Sequence, residues 1–340
     1  MRPGGQVSKF RPTRRGVLKT VATAVAVLAV SAGGLVTTAP PAGAVEGAAG
    51  LEVVKRDEHD PRMKFYEFST PEIGGFNPRV NVLLPDGYDP GHSYPVLYLL
   101  HGGGPGQDFM AFDDYGIRQG TVGMDVIVVM PDGGMAGWYT DAKTSNAGKR
   151  NWETFHIDQL IPWVDANFST IGNAEGRAVS GFSMGGFGAL KYMAAHPDLF
   201  DSVSSHSGPA DLRHDFGVVG HWANASSAVV ELMGGTAFGV PWDEGKVSKE
   251  NPAEHIDSFR GKRIFLSAGA GPFKDTDPSR LIADVNEIEV LPNQRAFRAQ
   301  LDKAGIPHEG REHGAGHTVD KQNFIDDLHG IVAHLSGNAS

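Results

Sequence analysis

Ser183 lies at the centre of Gly181-Phe182-Ser183-Met184-Gly185, a G-x-S-x-G pentapeptide. Ala178-Val179 before it is strand-like, and Phe187, Leu190 and Ala194 after it repeat at helical spacing. A strand that turns abruptly into a helix at a serine lifts the hydroxyl clear of a sheet. The glycines two positions either side leave room for the turn, and the helix start offers free N–H groups to an anion. With 45 glycines in the chain the pentapeptide is weak by itself. Its meaning depends on a base to take the serine proton and an acid to orient that base.

Such a site takes its parts in the chain order serine, acid, histidine. His317, in Gly314-Ala315-Gly316-His317-Thr318, sits on a glycine-flanked loop after the last expected strand and is the expected base. His313 competes, but falls at the strand end. His308, His313 and His317 lack the H-E-x-x-H spacing, so no metal site is expected among them. His59, His92, His196, His206 and His255 are expected in turns, a cap or the surface. Val96–Leu100 runs into His101-Gly102-Gly103-Gly104, the kind of loop that gives α/β-hydrolases an oxyanion N–H. The expected donors are the N–H groups of Gly103 and Met184. Position alone favours Asp275 or Asp277, just past a strand, as the acid.

These residues need a sheet to carry them. Period-2 patterns predict strands at 63–69 and 79–84, and continuous apolar runs predict buried strands at 96–100 and 125–130. Further strands are expected at 202–207, 263–268 and 308–312. Helices are expected from Asn151, with Ile157, Ile161, Val164 and Phe168 on one face, at 292–304 with Phe297 and Leu301 inward, and at 323–335. Trp152 and Trp163 read as packing. The alternation implies an α/β-hydrolase fold with a mostly parallel sheet and helices on both faces. Residues 208–262 break the alternation and read as a cap insertion within one catalytic domain, 45–340.

Thr13-Arg14-Arg15, the apolar run 21–30 and Ala42-Gly43-Ala44 have the form of a twin-arginine signal peptide over 1–44. Its removal takes six basic residues and no acid, leaving 24 basic against 40 acidic residues and a formal net charge of −16. That balance disfavours nucleic acid and anionic membranes as partners. The chain has no cysteine, which excludes disulfides and thiolate chemistry. The expected product is an exported protein, in the envelope or outside the cell, without stable membrane insertion.

Phe182-Ser183-Met184-Gly185-Gly186 with the later Gly-His-Thr loop resembles the esterase D group of α/β-hydrolases, and within it the antigen 85 mycolyltransferases. Asp125–Asp141, Asn151-Trp152-Glu153-Thr154-Phe155, Leu232-Met233-Gly234, Trp242 and Asn251-Pro252 extend the likeness over about 63–335. The resemblance implies a glutamate as the acid, and the matching position is Glu287, ahead of Asp275, Asp277 and Asp284. Three departures stand out. His101 replaces an aspartate, Gly104-Pro105-Gly106 replaces an arginine, and Val319 follows His317-Thr318 where the family has a tryptophan. They bear on trehalose recognition and leave the acyl-enzyme parts in place. The implied activity is a serine esterase acting on a small-molecule, lipid or glycolipid ester without metal or organic cofactor. Acyl transfer of the antigen 85 type, or glycan or matrix binding on a non-catalytic hydrolase fold, are the alternatives.

Overall fold

The computed structural model describes residues 47–230, 235–271 and 278–338, with the course of the chain alone at 278–285. The proposed signal segment 1–44, Asp275 and Asp277 lie outside the described residues, as do Leu232-Met233-Gly234 and the side chain of Asp284. Nine strands form one sheet in the order β1-β2-β3-β5-β4-β6-β7-β8-β9. β1 (Glu52–Asp57), β2 (Met63–Ser69) and β3 (Arg79–Leu83) are antiparallel at one edge, and β3 is antiparallel to β5 (Ile127–Pro131). β4 (Val96–Leu100), β5, β6 (Arg177–Phe182), β7 (Ser202–His206), β8 (Arg263–Gly269) and β9 (Glu309–His313) run parallel.

The unbroken apolar runs follow from coverage on both faces. Val96, Tyr98 and Leu100 point into one core cluster, and Leu97 and Leu99 into the other. Short helices α1 (Ala111–Asp114) and α2 (Ile117–Gly120) and the C-terminal α8 (Lys321–Asn338) contribute to the second cluster through Phe112, Ile117, Phe324 and Leu328. α3 (Ile161–Asn167) and α4 (Met184–Ala195) contribute to the first through Trp163, Phe187 and Leu190. No helix among the described residues is long and apolar enough to cross a membrane.

Three expectations need correction. The helix from Asn151 is not one regular α-helix: Thr154–Leu160 is a π-helical turn leading into α3. The wider turn buries Phe155, His156, Ile157, Gln159 and Leu160 together, a larger share than one 3.6-residue stripe holds. The helix expected from Pro292 begins at Pro278 and runs to Ala304 as α7, with Pro292 inside it. Proline removes one backbone bond, a cost the helix bears one turn from the half-exposed Ile288. His206 is buried at the end of β7, not in a turn or on the surface.

Between β7 and β8 the chain forms α5 (His214–Val230), α6 (Glu244–Glu250) and two 3₁₀ turns. Asp215, Phe216 and Gly217 in α5 have left-handed backbone, so regular helix begins after them. Ser227 Oγ donates to the Ala136 carbonyl at 2.7 Å, and Trp138 Nε1 donates to Ser226 Oγ at 2.9 Å. α5 is thereby fixed to the loop that follows β5.

Candidate active site

Ser183 stands between β6 and α4 with φ 54° and ψ −116°. A side-chain-bearing residue at positive φ is strained, by about 1–3 kcal/mol, and persists only where its surroundings dictate it. The surroundings are β4 and the incoming chain. A Cβ at Gly185 would lie 2.1 Å from the Leu100 carbonyl oxygen, and one at Gly181 would lie 2.4 Å from Gly185. Both G positions of the pentapeptide are therefore set by close packing of backbone on backbone. The Ser183 N–H donates to the His206 carbonyl at 2.8 Å, which ties the turn to β7.

His317 Nε2 lies 2.8 Å from Ser183 Oγ, and its Nδ1 lies 2.5 Å from Glu287 Oε2. The His317 and Glu287 side chains are 6% and 2% exposed, so the pair is shielded from water. Glu287 comes from α7, and its other oxygen accepts from the Gly269 N–H and, at 3.1 Å, from Ser207 Oγ. Ser207 and Gly269 follow or end β7 and β8, so two strand ends, the loop after β9 and one helix converge on the carboxylate. Ser207 and its role were not legible beforehand, although a serine directly after a buried strand at the carboxyl edge is a usable signal. The Phe182 ring packs on the His317 ring, centroids 5.1 Å apart.

Parallel pairing of β4 with β6, Leu100 opposite Gly181, brings the His101–Gly104 loop beside the serine turn. Gly103 abuts Met184: a Cβ there would lie 3.4 Å from Met184 Sδ. Met184 opens α4, so its N–H has no intrahelical acceptor, and the Gly103 N–H finds none among the described residues. Gly104 N–H is already engaged, donating to the Met135 carbonyl at 2.7 Å. His101 is buried, which pushes its pKa down and keeps the ring neutral. Its Nδ1–H donates to the Gly102 carbonyl at 2.6 Å, and Nε2 accepts from the Gly133 N–H at 2.8 Å.

His313 ends β9 and is buried, which lowers its pKa, and it makes no hydrogen bond to Ser183. Among the described residues no group of three or more His, Cys, Asp or Glu is placed to hold a metal ion. His206 pairs with Asp327 of α8 at 3.0 Å, and Asp327 also accepts from Arg263 and Ser204, each at 2.8 Å. The clue was an acid on the apolar face of α8, between Phe324, Leu328 and Ile331. Burial alone would raise the Asp327 carboxyl, but His206, Arg263 and Ser204 more than offset it and hold its pKa below the usual range. A depressed carboxyl stabilises the fold above the unfolded value, about 4, and that contribution is lost as pH falls through its folded pKa. Asp327→Asn is expected to destabilise the protein by about 2 kcal/mol at pH 6. Urea midpoints should show the gap to wild type narrowing below pH 4, and a constant gap from pH 6 to 3 would contradict this assignment.

A family model described as "Putative esterase" matches residues 72–335. Esterase Rv1288 of Mycobacterium tuberculosis (strain ATCC 25618 / H37Rv) is 58% identical over 288 residues, 84% of this chain and 62% of that protein. The chain thus spans less than two thirds of the length of that curated relative. Diacylglycerol acyltransferase/mycolyltransferase Ag85B of Mycobacterium leprae (strain TN) is 35% identical over 127 residues, 36% of this chain and 38% of that protein. The crystal structure of Mycobacterium tuberculosis MPT51 (FbpC1) superposes with a TM-score of 0.62 at 22% identity, covering 79% of this chain and 96% of that one, a likeness of fold. With a mostly parallel sheet, a serine on the strand-to-helix turn and a family match over most of its length, the chain belongs to the esterase family of α/β-hydrolases.

Proposed function

We propose that this chain is an exported serine esterase that cleaves carboxylic esters through an acyl-serine intermediate. The observation that carries the reading is the continuous hydrogen-bonded line from Ser183 Oγ through His317 to Glu287, at 2.8 and 2.5 Å. In this reading His317 Nε2 takes the Ser183 proton as Oγ attacks the acyl carbon. Glu287 holds Nδ1–H and balances the imidazolium that forms. The N–H groups of Gly103 and Met184 receive the oxyanion, each worth about 10²–10³ in rate. The tetrahedral species collapses as His317 passes its proton to the leaving alkoxide. Water, activated by the same imidazole, then releases the acid. Export by the twin-arginine route, with removal of 1–44, and a cap role for 208–262 belong to the same proposal. The substrate is a small-molecule, lipid or glycolipid ester.

A fluorophosphonate probe reads the first step directly. Wild type is expected to be labelled at Ser183, and Ser183→Ala to remain unlabelled while keeping its melting temperature. An unlabelled wild type, or equal labelling of the alanine variant, would refute the reading and favour a binding protein on a silent fold. A second reading, acyl transfer to an alcohol, is favoured by the similarity to Ag85B. Chromatographic separation of free acid from transferred ester, with glycerol or trehalose present, tells the two apart.

A further inference from the structure

Trp138 and Tyr139 are adjacent and both left-handed, with φ 51° and 55°. Two consecutive side-chain-bearing residues in that region persist only when contacts on every side hold them. Tyr139 is fully buried, and its ring meets His101, His156 and Tyr192 with centroids 6.0, 5.5 and 6.2 Å away. Gly188 leaves the ring its space, since a Cβ there would lie 2.5 Å from it. The Tyr139 carbonyl accepts from the buried Lys191 Nζ at 2.9 Å.

What this loop grips is the oxyanion machinery. Tyr139 OH donates to the His101 carbonyl at 2.8 Å, one peptide ahead of Gly102-Gly103. The Met135 carbonyl accepts from Gly104 N–H at 2.7 Å, and Gly133 N–H donates to His101 Nε2 at 2.8 Å. From the same loop Trp138 N–H donates to Met184 Sδ at 3.3 Å. Residues 133–139 therefore hold both proposed donors, Gly103 through His101 before it and Gly104 after it, and Met184 through its sulfur. Tyr139 itself spends its hydroxyl on a backbone carbonyl and has no group free for acyl chemistry.

We infer that Tyr139 is a positioning residue that sets the Gly102-Gly103 peptide at a fixed place relative to the start of α4. The inference rests on the serine-esterase reading above. Preorganised donors stabilise a developing oxyanion because they need no reorganisation as charge forms. A donor about 1 Å out of place forfeits on the order of 100-fold in rate. The ground-state ester leans on the donors far less, so the loss falls on kcat and not on KM.

Tyr139→Phe removes one oxygen and leaves the ring in its cradle. With p-nitrophenyl acetate, and active sites counted by fluorophosphonate titration, kcat is expected to fall roughly 10- to 100-fold with KM within about two-fold. Affinity for a phenylboronic acid, which forms a tetrahedral adduct on the serine, should fall by a similar factor. Met184→Leu conserves volume and removes the acceptor at the other end of the loop, so it should weaken the boronate in the same direction. It also covers the case in which Tyr139→Phe does not fold. A variant that only loses melting temperature, with kcat per titrated site and boronate affinity unchanged, overturns the brace and leaves the esterase reading intact. A wild type that neither turns over the ester nor binds the boronate overturns both.

Discussion

Glu287→Gln is expected to lower kcat by about 10³–10⁴ while leaving the fold in place. The size of the effect follows from which oxygen is committed to what. Oε1 accepts from Gly269 N–H and Ser207 Oγ, so in the amide that position must remain the carbonyl oxygen. The NH₂ group then faces His317 Nδ1 and donates to it. Nδ1 becomes an acceptor, Nε2 carries the hydrogen, and the imidazole can no longer take a proton from Ser183. A flip of the amide would aim its NH₂ at the Gly269 N–H, donor against donor, so the variant has no easy escape. Steady-state kinetics with p-nitrophenyl esters, set beside urea denaturation of the same samples, checks the claim. Retention of more than about a tenth of kcat would show that the carboxylate does not orient the base.

Lys191→Met should cost about 3–5 kcal/mol of stability. Lys191 is fully buried in α4 and pairs with Glu153 at 2.6 Å and Glu250 at 3.5 Å. Burial works against its charge, but the two carboxylates outweigh that and raise its pKa. Glu153 shows the reciprocal balance: burial pushes its pKa up, and Lys191 and His196 bring it well below the usual carboxylate range. Methionine fills the volume and leaves the buried Glu250 and the partly exposed Glu153 short of a partner. Urea midpoints at pH 7 measure the loss, and adding Glu153→Gln to the same chain should recover part of it. A loss under about 1 kcal/mol would mean that His196, paired with Glu153, and Lys246, paired with Glu250, already neutralise the acids without Lys191.

Ser183 was legible because a tight turn against β4 demands glycine at two fixed positions. The meeting of His317 with Ser183 was legible because a glycine-flanked loop after the last strand can reach back to the serine. Both are local signals. Glu287 was not legible from local pattern, which favoured aspartates just past β8. It sits within a 27-residue helix whose interior proline reads as a start. It was reached by resemblance, through a position that tertiary contact defines. His206 was expected near the surface because nothing within its own strand announces Asp327, 121 residues away. The central strands β4 and β5 were legible to within two residues, since burial on both faces leaves an unbroken apolar run. The π-helical turn was not, because its inward residues include His156 and Gln159, which periodicity counts as polar.

The ends of β8 and β9 meet with no side chain between them. A Cβ at Gly271 would lie 2.0 Å from the Gly314 carbonyl oxygen, and Ala270 N–H donates to the His313 carbonyl at 2.7 Å. The loop bearing His317 and the glycine that anchors Glu287 are thus one welded unit, while α7, which carries Glu287, is tied separately to residues 208–211 through Asn293 and Gln294. Any shift of one strand end carries the imidazole loop and the carboxylate's backbone anchor together, so their spacing is kept as that edge of the sheet moves.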